Sequence, residues 1–232
     1  MYTIKKAKQI VNLTSNFEQG AWKDAENLSI SIVRPESSVH HPIINARMLY
    51  DDLGIYLRFE VQDRYVLARK TNYQDGVCSD SCVEFFIQPK GRKDYYNFEM
   101  NAIGTVLLYN VIDATRTDHG FKDYKKVPFE KVQGMSMATT LHDVIDPEIT
   151  EPVDWALAAF IPFSIFDLDN GIQRMKFSVG VFEWFLHPFD RFDDLHLQEQ
   201  FDIDTGGVTD QSHDRLVHTL SDMRSYALLL DP

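Results

Sequence analysis

Alternation restricts this chain more than any other feature. In GIYLRFEVQD, residues 54–63, Ile55, Leu57, Phe59 and Val61 alternate with Tyr56, Arg58, Glu60 and Gln62. Successive side chains of a strand point to opposite faces, so the stretch reads as a strand with one dry and one wet side. The same period returns in SCVEFFIQP, where Val83, Phe85 and Ile87 oppose Cys82, Glu84, Phe86 and Gln88. It returns again in YYNFEMN, where Tyr96, Phe98 and Met100 oppose Tyr95, Asn97, Glu99 and Asn101. Further strands are expected over residues 28–33, 132–141, 154–161, 175–185 and 226–230. The best helical signal is a single turn in PFSIFDL, opened by Pro162, whose missing N–H costs nothing at a first-turn position. The pattern predicts an all-β fold, an antiparallel β-sandwich of immunoglobulin-like or jelly-roll type with long loops and little helix. A length of 232 residues suits one such domain spanning the chain, and no linker forces a division.

Turn chemistry pairs the strands. ARMLYDD ends at Asp51, Asp52 and Gly54, which predicts a hairpin with the strand that follows. PKGRKD likewise joins SCVEFFIQP to YYNFEMN; a turn centred near Gly91 and Arg92 sets Glu84 opposite Glu99, Phe86 opposite Asn97 and Cys82 opposite Asn101. HGFKDYKKVPFEKVQG and LHDVIDPEITEPVD read as long surface connections.

Charge narrows the partners. With 35 acidic and 23 basic residues the formal charge is −12, and no Lys/Arg stripe offsets it locally, which argues against nucleic acid. The longest apolar runs, such as WALAAFIPF, are too short for membrane insertion. The first twenty residues carry no signal-peptide pattern, so the expected compartment is cytoplasmic if Met1 is the native start, and periplasmic or extracellular if a leader was removed. Cys78 and Cys82 would lie roughly 13 Å apart on a continuous strand, beyond disulfide reach, and are expected to be free thiols. The eight histidines, His40 and His41 among them, lack zinc-site spacing and read as surface residues.

The non-core face of the SCVEFFIQP hairpin gathers Glu84, Glu99, Asn97 and Asn101, and two readings of it stand. It is either the solvated outer side of an antiparallel sheet, or a ligand-binding wall of carboxylates and amides matched to sugar hydroxyls. The second reading expects Glu84 to project into a concavity that solvent and a saccharide share.

Four segments, ARMLYDDLGIYLRFEVQD, DGVCSDSCVEFFIQP, YYNFEMNAIGTVLLY and DWALAAFIPFSIF, resemble in order and spacing the family 9 carbohydrate-binding modules and their DOMON-like relatives. The resemblance covers the middle two-thirds of the chain. It implies a β-sandwich that binds an oligosaccharide or polysaccharide such as xylan without cleaving it, in polysaccharide degradation alongside a glycoside hydrolase partner. It also implies a structural calcium, for which Asp51, Asp52, Asp63 and Asp80 are the candidate ligands. In sugar-binding members a tryptophan just ahead of the acidic strand stacks on the sugar, and a glutamate six residues later accepts its hydroxyls. The glutamate matches Glu84, and the tryptophan position matches Cys78. A second aromatic wall would come from the late loop that holds Trp184, Phe185, Phe189 and Phe192.

Two other functions fit parts of the pattern. Glu84 and Glu99, as cross-strand neighbours, have roughly the spacing of the two carboxylates of a retaining glycoside hydrolase of xylanase type. Met100, Met135 and Met137 are candidate ligands for haem, which some DOMON-like domains bind, though alternating methionines in strands are usually core filler.

Overall fold

The computed structural model describes residues 2–31, 39–89, 92–117, 120–167, 175–182 and 200–202. Trp184, the other aromatics of the late loop and the expected strand at 226–230 lie outside these described residues.

Two sheets carry the fold among the described residues. The first has seven strands, in spatial order β1 (Tyr2–Thr3), β15 (Gln200–Asp202), β14 (Met175–Phe182), β7 (Cys82–Pro89), β8 (Tyr95–Asn101), β9 (Val106–Thr117) and β10 (Gly120–Lys126). The second runs β11 (Ser136–Thr139), β13 (Val153–Pro162), β5 (Gly54–Asp63), β4 (Ile43–Tyr50) and β2 (Lys5–Lys6), with β3 (Leu28–Ile30) also beside β4. A two-stranded ribbon joins β12 (Ile145–Ile149) to β6 (Val66–Ala68). Pairing is antiparallel except for β1 with β15 and β2 with β4.

The alternation read from the sequence is what packs the sandwich. Ile55, Leu57, Phe59 and Val61 of the second sheet share one buried cluster with Val83, Phe85, Ile87, Phe98 and Met100 of the first. Phe98 stands with its ring 6.1 Å from both Phe85 and Phe166. Truncating a fully buried phenylalanine of this kind to alanine costs about 3–5 kcal/mol.

The outer face of the second sheet is also covered, which differs from the wet side expected for β5. Trp22, in a short 3-10 turn over Gly20–Asp24, is buried with Ala21, Ala25, Leu49 and Ala158. Arg47 donates to the carbonyls of Phe17 and Trp22 at 2.8 and 3.1 Å and lies 4.5 Å above the Phe17 ring. Arg58 is buried beside Glu60, at 2.9 Å, and donates to the Leu13 carbonyl. The chain ahead of β3 is thus strapped across this face by two arginines.

Other expectations need correction. The strand expected over 132–141 is present but shorter, as β11 (Ser136–Thr139); Val132 instead ends a short helix, α1 (Phe129–Val132), that follows Pro128. GFKDYKK, read as part of a long surface connection, is the edge strand β10, and LHDVIDPEITEPVD contains β12. The turn at PFSIFDL is a 3-10 turn over Phe163–Phe166, with Pro162 ending β13 just before it.

Candidate functional site, a buried polar wall with an aromatic rim

The expected register holds rung by rung. Cys82 pairs with Asn101, Glu84 with Glu99 and Phe86 with Asn97. The rungs continue into β9, where Glu99 pairs with Leu107, Asn97 with Tyr109 and Tyr95 with Val111. Val83, Phe85 and Ile87 belong to the core, so Glu84, Asn97, Glu99 and Asn101 lie together on the opposite face.

That face is not the solvated surface of an ordinary sheet. Glu84 is 3 % exposed, Asn97 3 %, Glu99 7 % and Asn101 0 %. The concavity shared with solvent that was expected at Glu84 is therefore a correction: the residue sits outside the apolar core, yet is almost closed off. Part of the reason is the loop that carries Cys78. Asn101 donates to the Lys70 carbonyl and to Asp80 Oδ2, both at 2.9 Å, and accepts from the Thr105 amide at 2.7 Å. Those bonds draw the 69–80 loop over one end of the wall, and they use both amide donors of Asn101, which makes it a support of the loop.

Asn97 differs. Its Nδ2 donates to Glu99 Oε1 at 3.0 Å, while its Oδ1 is buried with no hydrogen-bond partner among the described residues. A buried acceptor without a partner is costly and uncommon, and the atom is placed to receive a donor from a ligand. Burial pushes the Cys82 thiol well above its usual range, with Glu84, Glu99, Cys78 and Asp80 adding to the effect. Burial likewise pushes the Tyr109 phenol up to about 12, with Glu99, Tyr124 and Cys78 contributing. Cys78, Tyr109 and the carboxylates thus share one neighbourhood. Neither cysteine is in a disulfide.

Exposure is greater on β7, β9 and β10 near the level of Asn97, while Tyr95 and Val111 stay buried. Phe86 and Tyr109 are half-buried, and Tyr124 of β10 is exposed. Ring contacts link Phe86 to Tyr95 at 6.2 Å and Tyr109 to Tyr124 at 4.9 Å. Sequence reasoning puts Phe86 and Tyr95 on this face without using them, does not single out Tyr109 of β9, and misses Tyr124 because β10 reads as a surface connection.

The family model for carbohydrate-binding family 9 matches residues 20–179, more than half of the chain. The chain belongs to carbohydrate-binding family 9. Membership supports carbohydrate binding without catalysis. Three solved structures share the fold of this family 9 chain. One is a protein of Bacteroides uniformis ATCC 8492 described as carbohydrate-binding, with TM-score 0.66 and 19 % identity over 90 % of this chain and 92 % of that one. Another is a family 9 module of Caldicellulosiruptor kristjanssonii in complex with glucose, with TM-score 0.56 and 12 % identity over 91 % and 98 %. A structure from the same organism in complex with cellotriose gives TM-score 0.51 and 13 % identity over 90 % and 98 %. No curated protein matches the chain in sequence.

The family 9 calcium expectation does not fit its four carboxylates as one site. Asp51 precedes β5 and Asp63 ends it, about 30 Å away at strand rise. Asp51 is occupied by the amides of Leu53 and Gly54 and by the Tyr56 hydroxyl, and Asp52 by Lys6. Asp63 accepts from the amide of Arg64 and the indole of Trp155 and lies 2.9 Å from His40, which is half-buried rather than a surface residue. Asp80 Oδ2 accepts from the amides of Arg69 and Lys70, while Asp80 Oδ1 is buried with no partner among the described residues. No group of three or more potential ligands converges among the described residues. Met100 is core, and Met135 and Met137 pack partly buried against it, in keeping with their reading as filler.

Proposed function

We propose that this chain binds sugar units of an oligosaccharide or polysaccharide and leaves them intact, with Glu84, Asn97 and Glu99 as the hydroxyl-binding wall and Cys78 at its margin. The observation that carries the reading is the polar composition of a nearly sealed face. Carboxylates accept and amides both donate and accept, which suits sugar hydroxyls that do both at once. Entry is from the side of Phe86 and Tyr109, where exposure rises. A role in polysaccharide degradation, beside a glycoside hydrolase, belongs to the same proposal, as does a single domain over the whole chain.

The test is a glycan array run beside a hydrolysis assay on xylan and cellulose oligosaccharides. Binding without product supports the module. The glycoside hydrolase reading rests on the direct pairing of Glu84 with Glu99. Product formation abolished by Glu84→Gln replaces the present reading with that one, and absence of both signals leaves only a scaffold.

Calcium enters as a narrower proposal, through Asp80 Oδ1 alone. An ion held only by the native state stabilises it. A chelator is then expected to lower the melting temperature of the wild type and to leave Asp80→Asn unmoved, since asparagine can keep the acceptor that serves Arg69 and Lys70. A wild-type melting temperature indifferent to chelator removes the ion.

A further inference from the structure

Two carboxylates face each other across the centre of the polar wall. Glu84 of β7 and Glu99 of β8 are direct cross-strand partners, a relation that brings Cβ atoms to about 5 Å, and they are 3 % and 7 % exposed. Asn97 leans on the same pair. Its Nδ2 donates to Glu99 Oε1 at 3.0 Å, which leaves Oδ1 of the same amide as a buried acceptor with no partner among the described residues. Asn97 is itself 3 % exposed. Three of the four side-chain amide hydrogens of Asn97 and Asn101 are already given, to Glu99, Lys70 and Asp80. An ionised carboxylate only accepts, at about four lone-pair sites, so the centre of the wall is rich in acceptors and short of amide donors. The field there is negative as well: next to burial, Glu84 and Glu99 do most to push up the Cys82 thiol, and Glu99 does most for the Tyr109 phenol.

Resting on the sugar-binding reading above, we infer that Glu84, Asn97 and Glu99 select an amino sugar, a pyranose whose ammonium group is received between the two carboxylates. The donor count separates this ligand from a neutral sugar. A hydroxyl brings one hydrogen and an oxygen that needs a donor of its own, whereas an ammonium brings three hydrogens, no acceptor and a positive charge. Three donors match Glu84, Glu99 and Asn97 Oδ1 one for one. Two carboxylates at cross-strand distance repel each other, and a cation between them replaces that repulsion with two attractions, at an exposure where salt screens little. N-acetylation leaves the nitrogen one hydrogen and no charge, and so removes both advantages.

Calorimetry at pH 6, where an amine of this kind is protonated, tests the inference with glucosamine, glucose and N-acetylglucosamine on wild type, Glu99→Gln and Glu84→Gln. The wild type is expected to bind glucosamine about tenfold or more tightly than either neutral sugar, the size of a hydrogen bond to a charged group. Either variant keeps the side chain's shape and one acceptor but loses a charge, and is expected to bring glucosamine down toward glucose. Melting curves that match wild type exclude misfolding as the cause, and the wild-type ranking is read without either variant. Equal wild-type affinity for glucosamine and glucose overturns the inference and leaves the sugar-binding reading standing. A preference for glucosamine that survives in full in both folded variants overturns it too, since the ammonium is then held elsewhere. If wild type binds none of the three, the sugar-binding reading fails for single pyranoses and the inference falls with it.

Discussion

Two asparagines four residues apart on one strand, Asn97 and Asn101, divide the labour of the wall. Asn101 spends both amide donors and its carbonyl on Lys70, Asp80 and Thr105, so its replacement leaves buried partners unsatisfied. Asn101→Ala is expected to cost about 1–3 kcal/mol in urea unfolding, with an unchanged denaturant slope. Tyr109 supplies a pH signature. Its phenol is raised from 10.0 to about 12, so the folded protein holds that proton more tightly than the unfolded chain does. The contribution is complete below pH 10 and is lost as the pH climbs from 10 through 12. Tyr56, raised to about 12 by burial and by Asp51, acts in the same window. The melting temperature is expected to fall across that range, and Tyr109→Phe is expected to flatten the fall. An unchanged slope in the variant would show that the phenol's proton does not matter to the fold.

Elements were legible wherever alternation and turn chemistry agreed. Strands β4, β5, β7 and β8 each place one set of alternate residues in the core, and their turns fix the register, so even the opposition of Glu84 and Glu99 could be read in advance. The edge strand β10 could not, because nearly all of GFKDYKK faces solvent and lysines erase the period. Short strands such as β6, with three buried residues, carry too few positions to show any period. The closure of the wall was equally hidden, since it depends on a distant loop brought back by Asn101 and Asp80. Gly54 shows how closely β13 approaches the start of β5. A Cβ there would meet the Ile161 carbonyl at 2.4 Å and the Phe160 ring at 2.6 Å. Gly54→Ala is expected to destabilise by about 1–3 kcal/mol, read as a lower denaturation midpoint. No change would mean that β13 yields at that point.

At the scale of the molecule, the sandwich uses its two outer faces differently. One is sealed by the chain ahead of β3, through Arg47, Arg58 and Trp22. The other holds carboxylates and an amide almost out of water behind an aromatic rim. Among the described residues no helix is long and apolar enough to cross a membrane. Family 9 membership supports carbohydrate binding, and the polar wall is the face proposed above to hold the sugar. The most direct measurement is calorimetric titration of wild type and Glu84→Gln with the sugar that the array ranks first. The account expects saturable binding that Glu84→Gln weakens by about tenfold or more, the loss of a charge-assisted hydrogen bond. Equal affinity in a variant that melts like wild type would place the sugar elsewhere on the protein.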